Sequence, residues 1–419
     1  MYLQSVLETI ITMHANPQTV YKKQLRQLLQ VTRAINSNYS RNEILDIYVN
    51  ILKGESYITR FVLFSVEGQQ LKVEAMSGVE EEVMEFLSDE DVLDYIKNPS
   101  KVYFKPKTGK NPFNIILPAH HKDHVLSILM VETVYDNSEY LNLPEHIADA
   151  PEFLQTLHNI VFVALENKKL FKENLQQERL RKELELASEL QAMLFPPAWP
   201  ANHLNIDIAA FHIPFSEVGG DYFDYFTISE KELALCIADV SGKGISAALL
   251  MSNFQANVRA LFPIYDDLKK LLNQLAENVD RASRGERFIT GFFAIYNIES
   301  RMLTYINAGH NPPVLRNGNK IRLLEEGTTG LGMISPLPFV HSESIYLEPG
   351  SVLVCYTDGV SELENSRNEY FGYEPIEKIL QSHSQSNSEQ INLALSVAMS
   401  RFKGSAFHDD AAILTCKFD

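Results

Sequence analysis

The chain has 419 residues, which is too long for one ordinary hydrophobic core and predicts two or three domains. Hydrophobic residues make up 45% of it and charged residues 22%, the composition of a soluble globular protein. The 37 basic and 54 acidic residues give a formal net charge of −17, which argues against nucleic acid or an anionic membrane surface as the main partner.

The N-terminal segment and the cysteines predict a cytoplasmic location. Residues 1–17 carry acidic and polar side chains without an uninterrupted apolar core, so no signal peptide is predicted. No apolar run approaches the roughly 20 residues that span a bilayer. Cys236, Cys355 and Cys416 each lie inside an apolar, strand-like run without metal-ligand spacing, which predicts buried thiols in a reducing compartment.

Residues 1–150 predict an α+β module. Ser40 and Glu43 form a capping-box pattern that opens its second helix. The predicted order is helix over 1–36 with a break near Pro17, helix from Ser40 to Gly54, strands at 57–66 and 71–76, acidic helical segments between about 80 and 97, and strands near 101–105, 113–118 and 124–134. This order resembles a GAF-type sensor domain, although no motif identifies it. A PAS-like or purely structural module is the alternative.

Residues 151–196 predict a long helical linker. Apolar residues follow a heptad-like spacing that slips once, as at a stutter in a coiled coil, and Lys168 and Gln191 occupy two of the core-like positions. The apolar positions are Leu157, Val161, Ala164, Phe171 and Leu175, then Leu180, Leu184, Ala187 and Leu194. A coiled coil would make the chain a homodimer. The alternative is a single amphipathic helix lying on one of its own domains.

Residues 197–419 predict a second domain built from antiparallel hairpins, with Trp199 packing the linker onto it. Many antiparallel strands with helices grouped between them favour an α+β sandwich. The predicted elements are hairpins over 222–239, 291–308 and 313–324, helices over 245–261, 266–284, 374–381 and 387–402, and strands over 351–357 and 411–418.

The first hairpin carries two aspartates at its open end. Asp221 and Asp239 each lie nine residues from Glu230, so antiparallel pairing places them opposite each other. Carboxylates in that arrangement lie roughly 5 Å apart and repel. The pair therefore needs protonation of one carboxyl group or a bound cation, and the alternative is two solvated strand-end residues.

Two further aspartates lie at strand ends. Asp358 ends the strand at 351–357, and Asp409 precedes the last strand. If these strands are adjacent and antiparallel, the two carboxylates share one end of a sheet. Four strand-end aspartates supply the oxygen ligands that Mg²⁺ or Mn²⁺ prefers.

Six motifs follow one another over some 220 residues, and together they carry a family resemblance. They are GGDYFD (219–224), IADVSGKG (237–244), NAGHNPP (307–313), EPGSVLVCYTDGVSE (348–362), YFG (370–372) and HDDAA (408–412). Residues 190–419 resemble the PPM (protein phosphatase 2C-type) metal-dependent Ser/Thr phosphatases, in the branch of stage II sporulation protein E and the sigma-factor-regulator phosphatases. The resemblance implies a four-layer α-β-β-α sandwich, preceded by a sensor domain and a helical linker.

The resemblance also implies a role for each aspartate. Asp239 would bridge two Mn²⁺ or Mg²⁺ ions, with Asp221 and the backbone carbonyl of Val240 on the first ion and Asp358 and Asp409 on the second. Asp239 and Asp221 would thereby act in catalysis through a metal-activated water that attacks phosphorus in line. The implied substrate is a phosphorylated regulatory protein of the anti-sigma-factor-antagonist type.

The chain departs from the eukaryotic members of that family at two places. Val240-Ser241 stands where those members have a histidine after the bridging aspartate, and the upstream segment IPFSE has no phosphate-binding arginine. Glu217 and Asp224 are expected to support the ligands or the fold. The alternative function is a switch that binds a phosphorylated regulator without hydrolysing it.

Other signals favour structural roles. GGDYF resembles the GGDEF signature of diguanylate cyclases, but the downstream motifs fit the phosphatase order better. Gly242-Lys243-Gly244 lacks P-loop spacing and predicts a turn into a packed helix. His310 is expected to be a loop histidine bonded to backbone, with substrate contact as the alternative, and His408 is open to the same two interpretations.

Overall fold

The computed structural model describes residues 17–68, 70–80, 103–104, 112–122, 124–134, 149–200, 203–404 and 409–419. The chain divides into two compact units, Met1–Glu178 and Arg179–Asp419. The predicted helices over 1–16 and between about 80 and 97 lie outside the described residues, apart from residue 80.

The first unit contains a five-stranded antiparallel sheet of order β2-β1-β5-β4-β3. Its described elements are α1 (Pro17–Asn36), α2 (Arg41–Lys53), β1 (Ile58–Glu67), β2 (Gln70–Ser77), β3 (Tyr103–Phe104), β4 (Ile115–His121), β5 (His124–Thr133) and the first part of α3 (Ala150–Ala192). The Ser40–Glu43 capping box is present at the start of α2, as the sequence predicts, and satisfies backbone groups that the first turn leaves unpaired.

The linker helix α3 begins by packing into the core of this unit. Leu157 and Val161 are fully buried there, against residues such as Tyr48. Lys168 Nζ donates hydrogen bonds of 2.6 Å to the side chain of Asn38 and the carbonyl of Tyr39. The first turns of the predicted coiled coil therefore lie on their own domain, which is the alternative that the spacing left open.

The described residues of the second unit form two sheets. Its elements are β6 (Ile206–Ile213), β7 (Tyr222–Ser229), β8 (Glu232–Val240), α4 (Ile245–Leu261), α5 (Leu268–Ser283), β9 (Ile289–Asn297), β10 (Met302–Ala308), β11 (Val314–Asn317), β12 (Lys320–Leu323), β13 (Gly327–Thr328), β14 (Glu343–Tyr346), β15 (Ser351–Tyr356), α6 (Asp358–Ser361), α7 (Glu374–Ser382), α8 (Ser388–Phe402) and β16 (Ala411–Phe418). One sheet has the order β13-β10-β9-β8-β7 with β14 also on β10, and the other has the order β12-β11-β15-β16-β6.

Three hydrophobic clusters hold these layers together. Leu235 and Phe292 of the first sheet share a buried cluster with Leu353 and Leu414 of the second. The opposite side of the first sheet packs on α4 and α5, and that of the second packs on α7 and α8. Each fully buried leucine contributes about 1.5–3 kcal/mol relative to an exposed one. The predicted mixed α+β class is confirmed.

Strand register brings the predicted aspartates to strand ends. In the β7–β8 hairpin Tyr222 pairs with Ala238, so Asp221 and Asp239 occupy the next opposed positions. Strands β15 and β16 are adjacent and antiparallel, which meets the condition stated above, and Asp358 and Asp409 lie just beyond their paired ends. Among the described residues, no helix is both long and apolar enough to cross a membrane.

Candidate metal centre

Asp221 links the two sheets. Its carboxylate is buried, with 1% of the residue exposed, and accepts a 2.7 Å hydrogen bond from the hydroxyl of Thr357, at the end of β15. The Thr357 hydroxyl also accepts a hydrogen bond from the backbone N–H of Ala412 on β16. Burial first, and then the charge of Asp239, raise the pKa of Asp221 well above its usual range. Asp221 is therefore held between strand ends of both sheets.

Three of the four predicted aspartate ligands line one cavity of about 370 Å³. They are Asp239, Asp358 and Asp409, and the wall also includes Val240 and Glu362. Asp221 lies beside this wall, near enough to Asp239 for the charge of Asp239 to raise the pKa of Asp221. The structure thus brings the carboxylates of the β7–β8 hairpin together with those of the paired strands β15 and β16, more than 100 residues away in sequence.

Crowding shifts the proton affinity of these groups. Burial, followed by the charges of Asp358 and Asp409, raises the pKa of Asp239 to about 7. Burial, followed by the charge of Asp409, raises the pKa of Asp358 to about 6. Both shifts mean that ionised carboxylates at this place are costly without a compensating positive charge.

The donor set fits hard divalent cations. Carboxylate oxygens and a backbone carbonyl are the ligands that Mg²⁺ and Mn²⁺ take. Among the described residues, no three His, Cys, Asp or Glu side chains already have the spacing of a bound metal. The positive charge of a bound ion would offset the repulsion among the four aspartates.

Two glycines permit this crowding. A Cβ atom on Gly220 would lie 3.0 Å from the carbonyl oxygen of Val240, and one on Gly219 would overlap the carboxylate of Asp410. The segment before Asp221 can approach β8 and β16 only without side chains there.

Asp410 has a positioning role that the sequence did not reveal. Its carboxylate accepts hydrogen bonds from the backbone N–H groups of Phe215 and Gly220, at 2.8 and 2.7 Å. It therefore holds the loop that leads into Asp221, whereas its neighbour Asp409 faces the cavity. The adjacent aspartates of HDDAA were a signal that the two would have different roles, because successive side chains of an extended chain point to opposite sides.

Gln191, near the end of α3, holds the same loop from the other side. Its buried amide accepts a 3.0 Å hydrogen bond from the N–H of Gly219 and donates a 2.8 Å bond to the carbonyl of Gly219. Its place at a core-like position of the linker was the only sequence signal for this contact.

Of the other residues singled out in the sequence, Asp224 and Trp199 support the fold and Glu217 lies at the surface. Asp224 is buried and accepts two hydrogen bonds from the Arg259 guanidinium, at 2.7 and 2.8 Å, so it supports the fold. Glu217 is exposed. Trp199 donates to the carbonyl of Ile206 and packs on the cluster between the sheets, in line with its predicted packing role.

His310 lines the cavity and is bonded to the end of β10 and to β9. Its backbone N–H donates to the Asn307 side chain at 2.7 Å, and its Nδ1 lies 3.1 Å from the Thr290 hydroxyl. Burial lowers the pKa of His310 to about 4, so the imidazole is neutral at pH 7. His408 lies outside the described residues.

The C-terminal unit is similar to known phosphatases. Residues 229–419 match the family model described as stage II sporulation protein E (SpoIIE). The chain is 26% identical over 280 residues to phosphoserine phosphatase RsbU of Bacillus subtilis, which covers 66% of this chain and 82% of RsbU. It is 30% identical over 190 residues to phosphoserine phosphatase RsbP of Bacillus subtilis, which covers 43% of this chain and 46% of RsbP.

A solved structure shares the fold. The SiaA-PP2C domain of Pseudomonas aeruginosa matches with a TM-score of 0.50 and 18% identity, over 58% of this chain and 99% of that domain. The chain therefore contains a PP2C-type fold. Together with the sequence similarities, this confirms the predicted enzyme class, a phosphoprotein phosphatase.

The raised pKa of Asp239 predicts how pH affects the metal-free protein. The folded state holds more protons than the unfolded state between about pH 4 and 7, so stability should fall as pH rises through that window. Asp239→Asn removes this loss. In EDTA at pH 8 the variant should be more stable than wild type by about 1–4 kcal/mol, with a smaller difference at pH 5.

Urea unfolding followed by the fluorescence of Trp199, the only tryptophan, measures this difference. Glu217→Gln, an exposed acid in the same region, is the matched control and should match wild type at both pH values. An Asp239→Asn protein that is less stable than wild type at pH 8 would contradict the electrostatic account.

Proposed function

We propose that the C-terminal unit hydrolyses phosphoserine or phosphothreonine in a phosphorylated regulatory protein, using two Mn²⁺ or Mg²⁺ ions. The observation that carries this proposal is the convergence of four aspartates from two strand pairs in different sheets: Asp239, Asp358 and Asp409 line one cavity, and Asp221 lies beside it. We also infer that the two sheets and their flanking helices form the four-layer α-β-β-α sandwich of PP2C-type enzymes, since one hydrophobic cluster lies between the sheets and one on each outer side.

Each aspartate has a place in this proposal. Asp239 would be shared by the two ions, with Asp221 and the carbonyl of Val240 on one and Asp358 and Asp409 on the other. When bound, the ions would supply an activated water and charge neutralisation at the phosphoryl oxygens. In the chain itself, the Thr357 hydroxyl holds Asp221 in place. Asp224 instead pairs with Arg259 and supports the fold.

The substrate class rests on the relatives. RsbU and RsbP are both named phosphoserine phosphatases. We propose a phosphorylated protein of the anti-sigma-factor-antagonist type as the substrate of this chain. The cavity is open and acidic, so the ions would have to offset its charge before a phosphorylated protein could bind.

Hydrolysis of para-nitrophenyl phosphate tests the metal requirement. Wild type should turn the ester over only with Mn²⁺ or Mg²⁺, and Asp239→Asn should lose about 100-fold or more, because loss of even an outer partner of a metal ligand costs about 10–100-fold. Glu217→Gln is the control and should keep wild-type activity. Equal rates with and without metal, in wild type and Asp239→Asn alike, would refute the metal mechanism.

The second candidate function is a switch that binds a phosphorylated regulator without hydrolysing it. The presence of all four aspartates argues against it. A wild-type chain that binds a phosphorylated regulator but neither binds Mn²⁺ nor releases phosphate would favour it.

We further propose that residues 1–150 form a GAF-like sensor domain, which residues 151–196 connect to a catalytic domain at 197–419. The five-stranded antiparallel sheet with helices packed on it supports a sensor-type module. The sensor would act through the end of α3, where the Gln191 side chain makes two hydrogen bonds to Gly219 in the loop before Asp221. A change in the helix there would move that loop and change the affinity of the centre for metal.

Gln191→Ala should raise the Mn²⁺ concentration needed for half-maximal hydrolysis by about tenfold. The substitution leaves the buried N–H and carbonyl of Gly219 unpaired, at about 1–3 kcal/mol, so the loop before Asp221 loses its fixed position. A Mn²⁺ titration of ester hydrolysis measures the shift, with Glu189→Ala on the exposed side of the same helix as the control. Superimposable curves for Gln191→Ala and wild type would refute this coupling.

We propose that the linker helix also forms the contact of a homodimer. Beyond the turns that pack in the first unit, it exposes large apolar side chains, among them Phe171, Leu175, Leu180, Leu186 and Leu190. Such residues are costly to leave in water along a single helix, and pairing with a second copy would bury them.

Light scattering of the full-length chain should therefore give twice the mass of one chain. Leu180→Glu should shift the protein towards monomer because it places a charge in the apolar contact, while Glu183→Gln, an exposed change on the same helix, should not. A strictly monomeric wild-type mass would contradict the proposed dimer.

A further inference from the structure

The loop that joins β8 to α4 is held rigidly at the edge of the cavity. The Arg287 guanidinium donates to the carbonyl of Ser241 and to the hydroxyl of Ser246, and the Ser241 hydroxyl accepts a 2.9 Å bond from the N–H of Phe288. Gly242 has a φ of 92°, and a Cβ atom there would overlap the Arg287 guanidinium. These contacts fix the backbone on either side of Lys243.

Lys243 extends from this loop into the cavity. Its Nζ lies 2.8 Å from Oδ2 of Asp409, and the same ammonium lies 5.1 Å from the centre of the Phe215 ring. The side chain is 52% exposed, so its stem has room to move. The loop is thus fixed while the charged end of Lys243 is adjustable.

Acidic side chains outnumber basic ones around the cavity. Four carboxylates line it: Asp239, Asp358, Glu362 and Asp409. Within the described part of the chain, Lys243 is the one lysine or arginine in the lining, and the buried imidazole of His310 is neutral. The Lys243 ammonium is therefore the positive charge that the chain itself supplies to this acidic cluster.

The Lys243 ammonium and a metal ion would compete for the Asp409 carboxylate. A carboxylate that binds a divalent cation brings a double positive charge next to the ammonium, which is then repelled. The segment IPFSE also lacks an arginine, so the cavity has no other described lysine or arginine to meet the phosphate dianion. An ammonium on a flexible stem is a common phosphate contact.

We propose that Lys243 competes with the divalent cation for Asp409 and, once displaced, binds the phosphoryl group of the substrate. The lysine thereby exchanges one anionic partner for another as the site is loaded. This inference rests on the proposed metal-dependent phosphatase function and adds a residue for substrate recognition to it.

Calorimetric titration of Mn²⁺ into the EDTA-treated, dialysed chain tests whether Lys243 competes with the cation for Asp409. Lys243→Met should bind Mn²⁺ about two- to fivefold more tightly than wild type, the range expected from removing a half-exposed ion pair. Lys243→Arg should stay near wild type because it keeps the charge. Lys231→Met is the matched control, since Lys231 lies in the turn of the β7–β8 hairpin, pairs with Glu299 and has similar exposure.

Kinetics at saturating Mn²⁺ test whether the displaced Lys243 binds the phosphoryl group. Lys243→Met should raise the KM for para-nitrophenyl phosphate several-fold with a smaller change in kcat, and Lys231→Met should change neither. Mn²⁺ binding by Lys243→Met that is no tighter than wild type, or an unchanged KM, would overturn the proposal while wild type still binds metal and turns over. A wild-type chain without Mn²⁺ binding or turnover would instead remove the proposed function, and this proposal with it.

Discussion

Mutual repulsion among clustered carboxylates, of which Asp221 is fully buried, is the main constraint on the C-terminal unit. Asp221 and Asp239 occupy opposed positions at the end of one hairpin, and Asp358 and Asp409 occupy the ends of two paired strands in the other sheet. Burial and proximity raise the pKa values of Asp239 and Asp358 to about 7 and 6. A fold that gathers these groups gives up stability at neutral pH, and bound cations would restore it.

The surrounding structure keeps the carboxylates together despite this cost. The hydrophobic cluster between the two sheets holds the sheets together, and the Thr357 hydroxyl joins Asp221 of one sheet to the end of the other. Asp410 and Gln191 hold the loop before Asp221 from two sides, one from the last strand and the other from the linker helix. The end of α3 thus contacts the loop that precedes Asp221. Under the proposed function, this contact would give the helix a route to the metal centre.

Much of this arrangement could be predicted from the sequence, because it depends on local periodicity and on strand pairing. The hairpin symmetry about Glu230 predicted that Asp221 and Asp239 are opposed, and the register agrees. The contacts of Asp410, Thr357 and Gln191 could not be predicted, since each joins segments distant in sequence through a single side chain. The linker pattern was ambiguous for the same reason: a heptad spacing does not specify whether its apolar face meets its own domain or a second copy.

The number of Mn²⁺ ions that the chain binds tests the central claim most directly. Equilibrium dialysis of the EDTA-treated chain at neutral pH, with metal analysis of the protein compartment, should give two ions per chain for wild type and fewer for Asp239→Asn, which lacks the shared ligand. A wild-type chain that retains no Mn²⁺ at millimolar concentration, or an Asp239→Asn chain that retains two ions, would contradict the account of repelling aspartates as a two-ion centre.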